Sequence, residues 1–309
     1  MMTGRTLIDG KDLWTAYGAF VTEGGYRGLV QFPSMKAVEY NDWQEEDGIE
    51  ADLSNPVLDM KSVQIPFAFI GSVPDLLLSA LSDKGYHEWT FNEVGRAFTL
   101  RLVSAGTPVV AGNMRLLTLT FSDDLPLDME TFVRGDLPSP SRSDGYLLDG
   151  TDLSSYGVRI LEGTRAELEK SPSVKPAMLR NISSVPGAVY DGDARITYAT
   201  KDISLHCLIR AGSLERFWTL HDTLLYDLMR PQERQLTVTD LERDYNCFYK
   251  SMSVQEFIPV GGVWMKFTLT LTVNRGDAIE RPSCYATGRW IDYGTFGYND
   301  KWKNSPDAA

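Results

Sequence analysis

Asp9-Gly10-Lys11-Asp12-Leu13, followed by Tyr17-Gly18, returns later in the chain as Asp149-Gly150-Thr151-Asp152-Leu153, followed by Tyr156-Gly157. The offset is 140 residues at Asp9 and 139 at Tyr17, as a single deletion requires. Asp-Gly pairs are common turn formers, so the match counts only if later elements agree in type and order. Val63, Ile65, Phe67 and Phe69 alternate with Gln64, Pro66 and Ala68; at the same offset Ile203, Leu205, Cys207 and Ile209 alternate with Ser204 and His206. Period-two patterning is that of a half-buried strand. Pro66 lacks the N–H that a ladder needs, which predicts an edge strand or a bulge.

A helix follows each strand. Ser72 is the expected cap of the first, with Pro74 in its first turn, Leu76, Leu77, Ala80 and Leu81 on its apolar face, and Gly85 ending it. Ser213 is the expected cap of the second, with Glu215 against the helix dipole. Leu214, Phe217, Trp218, His221, Leu224, Leu225 and Leu228 recur there at helical spacing, and Pro231 closes the segment. This second helix is expected to be about one turn longer. Each unit then closes with a hairpin. The first runs from Phe98–Leu102 through Gly112-Asn113 to Leu117, Leu119 and Phe121; the second runs from Tyr245–Tyr249 through Gly261-Gly262 to Phe267, Leu269, Leu271 and Val273. Threonines alternate with these last apolar residues, which suits a sheet with one wet side.

The organisation read from this repeat is a first copy over 1–125, a Pro/Ser-containing linker over 126–145, a second copy over 146–274 and an aromatic-rich extension over 275–309. The fold class is mainly β (α+β): two tandem β-sandwich or partly closed barrel domains, each with one flanking α-helix. The linker reads as exposed. Tyr285, Trp290, Tyr293, Phe296, Tyr298 and Trp302 in the extension are the candidate interface residues, docking either on the chain's own domains or on a neighbouring subunit.

The chain has 309 residues, 43% of them hydrophobic, and a formal net charge of −12. That length supports two medium cores, and the charge disfavours a grip on nucleic acid. Cys207, Cys247 and Cys284 form neither a metal spacing nor a disulfide framework. No apolar run reaches the ~20 residues of a membrane span, and Met1-Met2-Thr3-Gly4-Arg5 opens no signal-peptide core. Synthesis and folding in a cytoplasm are expected.

Chemistry-bearing groups are sparse. His87, His206 and His221 show no ligand spacing and read as structural. The acidic stretch Asp42 to Asp52 lacks the alternating ligands of a calcium loop and reads as solvated. Asn181-Ile182-Ser183 matches a glycosylation acceptor without a secretion signal to make it relevant. There is no phosphate-binding glycine loop, nucleophile elbow or zinc motif. The expectation is a protein without catalytic residues, metal or cofactor.

Taken whole, the second copy reads Val185-Pro186-Gly187-Ala188-Val189-Tyr190-Asp191-Gly192, an alternating strand, an amphipathic helix, Leu236-Thr237-Val238-Thr239-Asp240, Tyr245-Asn246-Cys247-Phe248-Tyr249 and the strand Phe267–Val273. This order resembles the tube-like domain of long-tailed bacteriophage tail proteins, especially the distal tail protein of siphophages. The first copy shares the resemblance through the repeat, with Asp52 to Asp59 in place of the Pro-Gly segment; residues 275–309 lie outside it. The resemblance implies a structural virion protein of the tail tip or baseplate, located in the virion tail and forming a homo-oligomeric ring, trimer or hexamer. Tail-tube, tape-measure and tail-fibre or hub proteins would be its partners, and DNA would pass the lumen at genome ejection without specific binding. An alternative class is a carbohydrate-binding or adhesin-like module using Trp14, Trp43, Trp89 or the aromatic extension as a sugar platform. An unrecognised carboxylate pair would make a third, enzymatic class.

Overall fold

The computed structural model describes residues 3–140, 142–176, 179–190, 196–274 and 279–280. Strand β1 (Thr6–Ile8) turns through Asp9-Gly10 into β2 (Lys11–Asp12). Both turn residues have positive φ (48° and 77°), the geometry of a two-residue hairpin that matches strand twist. Helix α1 (Leu13–Tyr17), capped by the Asp12 carboxylate on the Thr15 N–H, leads into β3 (Ala19–Val21). Helix α2 (Arg27–Val30), β4 (Lys61–Ile70), helix α3 (Asp75–Leu81), β5 (His87–Phe91), β6 (Arg96–Ala105) and β7 (Met114–Asp123) follow.

The second copy repeats the series. It has β8 (Tyr146–Leu148), β9 (Thr151–Asp152), a 3-10 turn over Leu153–Tyr156, β10 (Val158–Ile160) and helix α4 (Thr164–Glu169). Then come β11 (Lys201–Ala211), helix α5 (Leu214–Leu228), β12 (Arg234–Val238), β13 (Arg243–Ile258) and β14 (Val263–Val273). The first sheet runs β2-β1-β5-β6-β7-β4-β3 and the second β9-β8-β12-β13-β14-β11-β10. Strand for strand, the order is the same.

The edge strands β2 and β3 are joined by the five residues of α1, which advance only about 7.5 Å. The sheet must therefore curl until its edges nearly meet, and each copy is a partly closed barrel. Gly18 and Gly157 make that closure. Both are left-handed helix caps (φ 62° and 72°), and a Cβ there would sit 3.0 Å and 2.9 Å from the carbonyls of Ile70 and Arg210. Inside lie Val63, Ile65, Phe67, Phe69, Trp89 and Phe121 in one copy and Ile203, Leu205, Cys207, Ile209, Phe267 and Leu271 in the other. The two sets belong to one continuous buried cluster.

Several local expectations need correction. Pro66 lies in an interior strand with no bulge against β7. Its carbonyl accepts the Thr22 N–H just past the end of β3, so the missing N–H falls where that short neighbour has stopped. Ser72 does not cap α3; its hydroxyl bonds the Tyr17 carbonyl, and Pro74 occupies the cap position. The helix ends at Ser82, before Gly85, and Leu76 is exposed while Leu77 and Leu81 are buried. Ser213 does cap α5, accepting from the Arg216 N–H at 3.2 Å.

Helix α5 has 15 residues against 7 in α3, two turns more. Lys201 stands 140 residues after Lys61, but Arg234 stands 147 after His87. Leu77 and Leu81 correspond to Leu224 and Leu228 on the later offset, which puts the extra turns in the N-terminal half of α5.

The linker is not free. Arg134 forks onto Asp227 of α5 (2.7–3.1 Å), where the Tyr156 hydroxyl also donates (2.6 Å), and the Gly135 N–H donates to Thr223 Oγ1. Burial alone would raise the Asp227 carboxyl, but Arg134 and Tyr156 outweigh it and hold it below the usual range.

Candidate functional site

The extra turns of α5 form the seam between the copies. Phe217, Trp218 and His221 are buried there. Trp218 Nε1–H donates to the Val94 carbonyl (2.8 Å), and the Arg96 guanidinium lies 4.4 Å from the Trp218 ring centroid while bonding both oxygens of Asp222. His221 Nε2–H donates to the Val30 carbonyl at 2.8 Å, and Nδ1 faces Asp222 Oδ1 at 2.8 Å. Burial would raise the Asp222 carboxyl; His221 and Arg96 together hold it low. Below them the Tyr249 hydroxyl donates to the Pro33 carbonyl, and the Met35 N–H donates to the Lys250 carbonyl.

A second clasp joins the two long excursions that precede β4 and β11. Lys175, buried, directs its ammonium into the acidic stretch of the first copy. It donates to Asp42 Oδ1 (2.6 Å) and to the carbonyls of Trp43 (2.7 Å) and Gly48 (2.5 Å). The Thr197 hydroxyl donates to the Gln44 carbonyl, the Tyr198 N–H to Asp47, and the Gly48 N–H to the Tyr198 carbonyl. The stretch expected to be solvated thus cages a cation that the chain itself supplies. Among the described residues no group of three or more His, Cys, Asp or Glu is placed to hold a metal ion.

Beside the clasp opens a cleft of about 770 Å³, lined by Trp43, Glu46, Asp47, Glu50, Glu233 and Asn274 among others. Of the tryptophans considered as sugar platforms, Trp43 is exposed and Trp14 half-buried. Trp89 is wholly buried, its ring stacked on Phe91 and its Nε1 without a hydrogen-bond partner, so it is core and not a platform.

Each histidine has a ring nitrogen in a hydrogen bond. His87 is buried between Asp9 Oδ2 (2.7 Å) and the Leu81 carbonyl, His221 lies in the seam, and His206 Nδ1 faces Thr268 Oγ1. Cys207 and Cys247 are buried free thiols, and burial pushes both up, Cys247 to about 12. Tyr285, Trp290, Tyr293, Phe296, Tyr298 and Trp302, with Cys284, lie outside the described residues.

The remaining conspicuous surface is at the hairpin ends. In the first copy, residues 103–113 are exposed throughout, and the thirteen residues from Leu102 to Met114 carry no charge. In the second, the nine residues from Phe257 to Met265 carry none, and Ile258, Val260 and Trp264 are exposed. Arg210 stacks on Trp264, 4.8 Å from its ring centroid. Neither tip was singled out by sequence reasoning, although a charge-free run in a chain of net charge −12 was a usable signal.

Among the described residues no helix is long and apolar enough to cross a membrane. No protein-family model matches the chain, and no curated protein matches it. Solved structures that overlap it slightly include the following two. One is the Dit (gp 19.1) protein of SPP1, described as a paradigm of the hub adsorption apparatus in phages infecting Gram-positive bacteria; it is 20% identical, with 43% of this chain and 50% of that one covered and a TM-score of 0.31. The match therefore spans half of that chain. The other is the PlzA protein of Borreliella burgdorferi in complex with c-di-GMP, 9% identical over 81% of this chain and 86% of that one, with a TM-score of 0.15. Overlaps this slight assign no function.

Proposed function

We propose that the protein is a structural ring component of a phage tail tip or baseplate. In this reading it continues the tail-tube channel, links it to host-recognition proteins and has no catalytic role. The observation that carries the reading is the identity of strand order in the two sheets, taken with the resemblance of the second copy to tube-like tail domains. A chain built of two equivalent walls joined along a buried seam is an economical ring segment: three chains would present six quasi-equivalent walls. Part of the outer face of each sheet is uncharged and polar, with Gln64, Thr118 and Thr120 on one and Ser204, Thr268 and Thr270 on the other. Those positions offer no cationic grip to a passing phosphate backbone.

A second reading, a carbohydrate-binding module, draws on the cleft in which exposed Trp43 stands among carboxylates and amides. Solution mass with negative-stain imaging separates the two. Rings of three- or six-fold symmetry are expected; a monodisperse monomer that binds a glycan array through Trp43 would replace the first reading by the second.

A further inference from the structure

Lys61 opens β4 and Lys201 opens β11, at equivalent places in the two copies. Across the ladder Lys201 is paired with Val273, whereas Lys61 is paired with Asp123. Directly paired residues share one face of a sheet. The first copy therefore sets an amine beside a carboxyl where the second sets an amine beside an apolar side chain. Lys61 and Asp123 are both buried, at 7% and 6% exposure, and the Phe98 ring lies 5.5 Å from the ammonium. Arg96 of β6 and Asp222 of α5 also act on Lys61, and Arg96 and Asp124 act on Asp123.

A well-made ion pair closes to hydrogen-bond contact, as Lys175 does on Asp42 at 2.6 Å and Arg134 on Asp227 at 2.7 Å. Lys61 Nζ stops 3.8 Å from Asp123 Oδ2 and donates to the Leu29 carbonyl at 2.9 Å. At that separation the attraction does not offset the loss of water around the two charges. Burial pushes the Lys61 ammonium down to about 8 and the Asp123 carboxyl up. Asp9, Asp124, Asp222 and Asp227, by contrast, are all held low by their partners. Both members of this pair are driven toward the uncharged amine and the uncharged acid. Those are the forms that condense.

We propose that Lys61 and Asp123 form an intramolecular isopeptide bond that staples β4 to β7. The lone pair of the neutral amine adds to Cγ of the protonated carboxyl, making the C–N bond. A proton passes from the nitrogen to the departing oxygen, the C–O bond breaks with its electron pair, and one water leaves. Overall an ammonium and a carboxylate become an amide and water, with no oxidant, reductant or co-reactant. Holding the two groups side by side makes the condensation intramolecular. The product replaces two poorly paired buried charges with a neutral amide, whose N–H keeps the bond to the Leu29 carbonyl. Because Lys61 begins β4 and Asp123 ends β7, the bond closes the strand–helix–hairpin unit of the first copy at its two ends. It does not depend on the ring reading above.

The test is mass spectrometry of the full-length protein after denaturation. Wild type is expected to be one water lighter than its sequence requires. Its tryptic digest should hold a branched peptide made of residues 37–84 and 116–134, uncut after Lys61 because trypsin does not cleave at an acylated lysine. Lys61→Met and Asp123→Val, the latter matching Val273 of the second copy, are expected at full sequence mass with no branched peptide. Wild type at full sequence mass overturns the proposal. Loss of a water without the branched peptide also overturns it, since the water then left from another place, such as a cyclised Asp-Gly turn. The wild type alone decides, so the outcome stands even where a variant fails to fold.

Discussion

Asp9 and Asp149 occupy the same turn of the two copies, with the same φ of 48°. Asp9 accepts from Lys84, from His87 and from the Glu88 N–H; Asp149 accepts from Arg230, Arg234 and the Gln235 N–H. His87 therefore stands where the second copy has an arginine, and the equivalence explains why a buried histidine faces a carboxylate with no ligand in sight. Partial burial pushes Asp9 up, but these bonds outweigh it and lower its carboxyl to about 2. A depressed carboxyl stabilises the fold above its unfolded value of 3.8 and loses that contribution as pH falls toward 2. Urea unfolding of wild type across this window should show stability falling with pH, and Asp9→Asn should flatten that limb while lowering stability at pH 7. Lysines repeat in the same way: Lys61 donates to the Leu29 carbonyl and Lys201 to the Leu168 carbonyl, each beside an aromatic ring.

At the scale of elements, the clasp between the two long excursions is the least ordinary feature. An ammonium enclosed by one carboxylate and two carbonyls does for the acidic loop what a bound cation would do, while joining it to the other copy. Lys175→Met keeps the length of the side chain but removes the donor, leaving polar acceptors short of a partner at about 1–3 kcal/mol. Hydrogen exchange is the direct measurement. The amides of Gly48 and Tyr198, which are bonded across the clasp, should lose protection, while amides in β4 and β11 keep theirs. The linker belongs to the same scale. Held on α5 by Arg134 and Gly135, it is a strap along the helix, and proline and serine in its sequence read only as an exposed linker.

At the scale of the whole molecule, the extra turns of α5 decide whether there are two domains or one body. Their apolar side chains enter the same buried cluster as both barrels, so unfolding of one copy exposes part of the other. Wild type is expected to unfold in one calorimetric transition. Trp218→Ala removes the largest side chain of the seam, its hydrogen bond to Val94 and the stacking of Arg96. It should cost about 3–5 kcal/mol and split the transition in two, which calorimetry would read directly. A single unsplit transition in the variant would place the coupling in the Lys175 clasp instead.

The sequence alone determined the repeat, the strand–helix–hairpin order of each copy and the apolar face of α5. Each of these rests on local periodicity and turn chemistry: alternation in β4 and β11, helical spacing in α5, Asp-Gly at both hairpins. Only the tertiary structure decided where Lys175 goes, why α5 needs two more turns than α3 and that Trp89 is core. Those contacts join residues tens to more than a hundred positions apart, and no local pattern marks the pairing. Burial and cross-strand register arise only when distant segments share a sheet, and these set the difference between two like barrels and the surfaces they present.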